Sequence, residues 1–240
     1  MNIHILQDTD VLGHKAAEFS KAVLDEAIQN YGSARLLVAT GASQFPLISA
    51  LLKLDIDWSR VEIFHLDEYI GLDITHKASF RKLLKDYFVS HISPLAVHYL
   101  HENNIDEVSA RILERQIDLG FIGIGENAHI AFNDPPADFD CEKPYIVVNL
   151  DEQCKRQQVG EGWFDTIADV PPTAVTITVR QILNCKTILS FVPDGRKALA
   201  VRNTLAETAN PEVPATALKL HDDWHLYLDN ASAAMIIPMH

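Results

Sequence analysis

The sequence predicts an α/β fold: a single domain over residues 1–240, built as a Rossmann-like, mostly parallel sheet with helices on both faces. Three observations carry that expectation. Short apolar runs alternate along the chain with stretches of helical periodicity, the signature of βαβ units. Polar clusters follow several of those runs, where ligands collect in open parallel sheets. No linker rich in Pro, Gly or Ser divides the chain, and its 48% hydrophobic content suffices for one substantial core.

Leu12, Ala16, Phe19, Val23 and Ala27 recur at steps of three and four residues, so an amphipathic helix is expected first, with Asp10 placed to cap it. The run ARLLVAT then reads as a strand ending in the turn TGASQ, and FPLISALLK resumes helical spacing. VEIFHL is the next strand and closes on Asp67, Glu68 and Tyr69. A helix is expected from Lys77 to Phe88, a short strand at VHYL, a helix at DEVSARILERQI and a strand at LGFIGI. YIVVNL, TAVTITV, TILSFV and WHLYLD continue the strands, and GRKALAVRNTLAE is helical. The prolines of DPPAD, VPP and NPEVP punctuate loops. GWFDTIADVPP, aromatic and proline-containing, is expected to form a lid in a long loop.

The chain carries 33 acidic against 20 basic residues, a formal net charge of −13, which opposes broad contact with nucleic acid or an anionic membrane. An anionic ligand would need a locally basic site. The opening MNIHILQDTD has no basic stretch followed by an apolar one, and no run of about 18 apolar residues occurs, so a cytoplasmic protein is expected. Cys141, Cys154 and Cys185 are widely spaced and odd in number, which suits reduced packing residues rather than a disulfide framework.

TGASQ offers backbone N–H groups and the hydroxyls of Thr40 and Ser43 to a phosphate, although it is not a G-x-x-x-x-G-K-[ST] loop. Adjacent strand residues point to opposite faces, so one of Asp67 and Glu68 should face a cleft and the other should be structural. The stretch GIGENAHIAFND matches G-x-G-x-x-A at Gly123, Gly125 and Ala128, but Pro135 and Pro136 interrupt the long helix that a dinucleotide site requires. A metal reading lacks a third ligand near His129 and Asp134, and His98 and His101 stand alone. Acid/base work remains, with His129 as the proton shuttle and Asp134 or a neighbour orienting its ring. Arg156 and Lys197 are the candidate cations for an anion, Lys197 at the start of a helix.

Taken together, LLVATGAS, FHLDEYIGL, GIGENAHIAFNDP, GRKALA and EVPATAL resemble the glucosamine-6-phosphate deaminase (isomerase) family, whose fold is shared with 6-phosphogluconolactonases. The resemblance implies conversion of glucosamine 6-phosphate and water to fructose 6-phosphate and ammonia without a cofactor. It puts the base at Asp67, the ring-opening acid/base at His129, and its orienting partners at Asn127 and Asp134. It puts the phosphate turn at Thr40, Gly41, Ala42 and Ser43, with Lys197 and Arg156 as phosphate cations. A small sugar phosphate is then the partner, with a homo-oligomer compatible with the acidic surface. The alternatives are a lactonase-like hydrolase and a sugar-phosphate-binding regulatory protein with weakened catalysis. Tyr69 stands where lactonases tend to carry arginine, which disfavours the first. Asp134 replaces the family's usual Glu, and the shorter side chain is expected to withdraw the carboxylate from His129. Ala128 replaces a common glycine and should disfavour positive φ.

Overall fold

Successive side chains of a strand point to opposite sides, and here both sides of the apolar runs are covered. The computed structural model describes residues 1–236. In chain order the elements are β1 (Asn2–Leu6), α1 (Thr9–Tyr31), β2 (Ala34–Val38), α2 (Phe45–Leu51), β3 (Val61–His65), β4 (Asp67–Tyr69), α3 (Phe80–Tyr87), β5 (Ala96–His98), α4 (Ile105–Leu113), β6 (Leu119–Phe121), β7 (Tyr145–Asn149), α5 (Glu152–Gly160), β8 (Thr173–Ile177), α6 (Val179–Leu183), β9 (Thr187–Val192), α7 (Ala198–Ala206) and β10 (Trp224–Asp229). Leu36, Val38, Leu189 and Phe191 pack with Leu12, Leu24 and Leu47 of α1 and α2, whereas Leu37, Ile188 and Val192 pack with Ile112, Ile182 and Val201 of α4, α6 and α7. Helices thus cover both faces of a single α/β domain.

The main sheet has seven strands in the order β1-β10-β9-β6-β2-β3-β5, all parallel. The chain moves outward from β2 to β3 and β5, then returns to lay β6 on the other side of β2. That reversal makes a switch point at the carboxyl ends of β2 and β6, the crevice where ligands enter such sheets. The loops after these strands touch there: a Cβ at Gly123 would lie 3.4 Å from Nε2 of Gln44.

Two expectations change. A strand, not a helix, comes first: β1 is an edge strand paired on one side only, with Ile3 and Ile5 partly exposed, so it lacks a continuous apolar run. The following helix is capped by Asp8, which accepts from the Val11 N–H at 2.9 Å, while Asp10 lies in its first turn. Second, YIVVNL and TAVTITV leave the parallel sheet. They form β7 and β8, an antiparallel set with β4 in the order β4-β8-β7, and β7 alternates in burial as a half-covered strand must.

This small sheet carries Asp67 and Glu68 away from the main one. Glu68 is fully buried and accepts from the Ser79 hydroxyl at 2.9 Å, the Phe80 and Arg81 N–H groups at 3.1 and 2.8 Å, and Arg81 Nε at 3.1 Å. One carboxylate therefore pins the start of α3 to β4. Glu68→Ala leaves these buried donors without an acceptor, and a loss of about 3 kcal/mol or more is expected in urea unfolding. A loss below about 1 kcal/mol would show that α3 is anchored by other contacts.

Candidate active site

A cavity of about 520 Å³ opens beside the switch point. Its wall includes Thr40, Gly41, Ala42 and Ser43 after β2, Asp67 on β4, His129 after β6 and Lys197 after β9. The turn after β2 is held in place by Gln44, whose Nε2 donates to the Phe191 carbonyl at 3.0 Å. The Thr40 hydroxyl is buried with no hydrogen-bond partner among the described residues.

Lys197 is only 7% exposed, and among the described residues no carboxylate lies within ion-pair distance of it. Burial lowers its pKa, only partly opposed by the more distant Glu161 and Glu126. A buried ammonium without a counter-ion is costly, and an arriving anion would relieve that cost. The segment that presents it is strained and tied down. Asp194 has φ 83°, and its side chain accepts from the Arg196 N–H at 3.0 Å. Its own N–H donates to Asp229 Oδ2 at 3.0 Å, an oxygen that also accepts from the Thr9 hydroxyl at 3.0 Å.

The two strand-end carboxylates separate as adjacent positions must. Glu68 turns inward to α3, and Asp67 lines the cavity while remaining 5% exposed. Burial, with the Glu68 charge added, pushes the Asp67 carboxyl well above the usual carboxylate range. A base raised in this way is better matched to neutral pH.

His129 occupies a loop with two left-handed alanines, Ala128 at φ 64° and Ala131 at φ 51°. Ala128 thus adopts the conformation its Cβ was expected to disfavour. A hydrogen bond from the Ala215 N–H to its carbonyl, 2.8 Å, and a methyl buried in the core over-determine it. Gly125 is required here, because a Cβ on it would lie only 2.2 Å from Cε1 of the His129 ring.

The tautomer follows from the contacts. The His129 N–H donates to Asn127 Oδ1 at 3.2 Å, so that atom is an acceptor, and Nδ1, 2.5 Å from it, carries the proton. Nε2 is left as the free ring nitrogen. Burial, then the Lys197 charge, lowers the imidazole pKa to about 3, so the ring is neutral at neutral pH. Asp134 lies 3.5 Å from Nδ1, beyond a good hydrogen bond, and both its oxygens are buried without hydrogen-bond partners among the described residues. The short side chain thus leaves the Nδ1 bond to Asn127. Burial, then the Asp151 charge, raises the Asp134 pKa to about 6.

Arg156 is a correction. It lies on an outward face of α5, 66% exposed and 2.7 Å from Glu152 one turn earlier, and it does not line the cavity. Gln157, Gln158, Glu161 and Trp163 line it instead, together with Arg196. QQ and GRK were the visible signals, but without a helix phase they do not say which side faces inward. The expected lid is anchored at two buried points, while Gly162 and residues 165–169 are exposed. Phe164 and Val170 are 3% exposed, a capping box joins Thr166 and Asp169, and of GWFDTIADVPP only Trp163 reaches the cavity.

Among the described residues no three His, Cys, Asp or Glu side chains are grouped to hold a metal ion, and no helix is long and apolar enough to cross a membrane. The fold and site define a Rossmann-like α/β protein with a cation and acid/base groups at its switch point. Residues 7–226 match the family of glucosamine-6-phosphate isomerases/6-phosphogluconolactonase, and the chain belongs to that family. The glucosamine-6-phosphate deaminase of Staphylococcus epidermidis is 33% identical over 224 residues, covering 88% of this chain and 90% of the relative. That of Oenococcus oeni is 30% identical over 243 residues, covering 98% and 99%. A solved monomeric glucosamine-6-phosphate deaminase superposes with a TM-score of 0.87 at 28% identity, covering 98% of this chain and 100% of the other. The 6-phosphogluconolactonase of Trypanosoma brucei shares the fold, with a TM-score of 0.79 at 13% identity over 98% of each chain.

Two outcomes are expected. Gly125→Ala displaces the His129 ring, visible as loss of its contact with Asn127 in a structure of the variant; an unmoved ring would show that the loop has slack. For Asp134, the folded pKa of about 6 lies above the unfolded 3.8, so its contribution to stability is present below 3.8 and lost as pH rises through 6. Asp134→Asn is therefore expected to be more stable than the parent at about pH 8, by at most about 3 kcal/mol, with the gap closing toward about pH 4. A pH-independent gap in thermal unfolding would contradict it.

Proposed function

We propose that this chain is a glucosamine-6-phosphate deaminase, converting glucosamine 6-phosphate and water to fructose 6-phosphate and ammonia in the cytoplasm without a cofactor. One observation carries the reading: a buried, unpaired lysine shares a cavity with a carboxyl raised by burial and a neutral imidazole. The deaminases that align with it over nearly their full length support the same activity. The unpaired Cys141, Cys154 and Cys185 suit a reducing compartment.

The phosphate is the remote handle. Held by the turn from Thr40 to Ser43 and by Lys197, it fixes the far end of the sugar and lends binding energy to the reacting carbons. Nε2 of His129, unprotonated and free, takes the anomeric hydroxyl proton and returns it to the ring oxygen, opening the ring. Asn127 holds the required tautomer through Nδ1, and the Asp134 carboxylate stabilises the transient imidazolium from 3.5 Å. Asp67 then removes the proton from C2 and delivers it to C1, while one proton of the C2 amine passes to the C1 oxygen, leaving a hydroxyl at C1 and an imine at C2. The resulting C2 imine is hydrolysed by water, releasing ammonia and leaving the ketone. Tyr69, where lactonases tend to carry a cation, is fully buried among Phe80, Phe132 and Phe164, and gives hydrolysis of a lactone no support.

The purified chain is expected to release ammonia and fructose 6-phosphate from glucosamine 6-phosphate. Asp67→Asn should lower kcat by about 10²- to 10⁴-fold while KM changes little. Full turnover by this variant would remove Asp67 from the role of base. Tight binding of the sugar phosphate by the parent without turnover would make it a binding protein, and hydrolysis of 6-phosphogluconolactone alone would make it a lactonase.

A further inference from the structure

The reading above places a phosphate dianion against a single ammonium. With Arg156 pointing to solvent, the remaining cation in the described wall of the cavity is Arg196, beside Lys197 in the turn that leads into α7. Its side chain is 59% exposed, with Nη2 3.0 Å and Nε 3.1 Å from Asp194 Oδ2. Nη1 reaches toward Glu126 Oε1 at 3.7 Å, an ion pair too long for a hydrogen bond.

Through Glu126 the side chain reaches from the loop after β9 to the loop after β6. Asp194 is itself fixed by Asp229, so the inner edge of the guanidinium is anchored while its outer donors face a loosely paired carboxylate. Exposed ion pairs of this kind contribute little, whereas a guanidinium fork matches two phosphate oxygens at once. A phosphate on Lys197 would therefore find a ready second cation within one residue.

We propose that Arg196 is the guanidinium that receives the substrate phosphate, leaving Glu126 and keeping its hold on Asp194 when the sugar phosphate binds. Arg196 completes the seat that the turn after β2 and Lys197 begin, and Glu126 competes with the ligand for it. The proposal rests on the sugar-phosphate reading, and its test separates the two.

Four proteins are compared: the parent, Arg196→Gln, Glu126→Gln and Arg156→Gln. Each is measured by steady-state kinetics on glucosamine 6-phosphate and by calorimetric titration with inorganic phosphate. Arg196→Gln is expected to raise KM and weaken phosphate binding about tenfold or more, with kcat within about twofold. Glu126→Gln, which frees the guanidinium, should shift both in the opposite direction, and Arg156→Gln should change neither. If Arg196 merely braced the two loops, Glu126→Gln would reproduce the Arg196→Gln defect, and that result would overturn the proposal. So would an unchanged KM and phosphate affinity in Arg196→Gln. A parent that binds phosphate without turning over the sugar would count against the deaminase reading alone, and the phosphate titration would still decide Arg196.

Discussion

β2 and β6 lie side by side although the chain visits β3 and β5 between them, and the reversal leaves a crevice at their carboxyl ends that no connection fills. Everything chemical in the molecule is arranged around that gap. Because all seven main strands run in one direction, the segments leaving β2, β6 and β9 emerge on the same side and meet. β4 turns out of the sheet to bring Asp67 over the same opening, steadied from behind by Glu68.

The two ends of the sheet differ in how charge is handled. At the amino-terminal end, Arg35 pairs with Glu62 at 2.8 Å, and Asp118 takes Lys186 at 2.6 Å and the Arg35 N–H at 2.8 Å. Burial pushes the Glu62 carboxyl up, but hydrogen bonds from His98, Arg111 and Arg35 outweigh it and hold it near about 2. At the carboxyl-terminal end, Lys197, Asp67 and Asp134 are buried with little or no compensation. Left-handed alanines and a left-handed Asp194 gather there too. Unsatisfied charge and backbone strain are stored where a ligand can relieve them, and the paired end of the sheet stabilises the scaffold that holds them.

The main strands and most helices were legible in the sequence because their apolar periodicity is strong and their burial two-sided. β1 was not, because an edge strand needs only one covered side and its Asn-Ile-His-Ile-Leu pattern gives a weak signal. β7 and β8 were legible as strands but not as a separate sheet, and β4 was read as the end of the preceding strand, since pairing partners are set by long-range contacts. In the cavity, GIGENAHIAFND stood out because glycine, histidine and aspartate cluster there, whereas Gln157, Glu161 and Arg196 did not. Such residues are ordinary on a solvated helix until the packing of that helix decides which face turns inward. Arg156 shows the same limit from the other side: its charge was visible, its direction was not.

The sequence by itself determined the fold class, most of the strands and helices along the chain and the chemical kinds of group at the strand ends, since periodicity and turn chemistry are local properties of the chain. Only the tertiary structure decided which of those groups share a cavity, which lysine lost its counter-ion, which arginine faces outward, and how far Asp134 stands from the imidazole. Those quantities depend on distances and dehydration between segments far apart in the chain, and no local pattern encodes them.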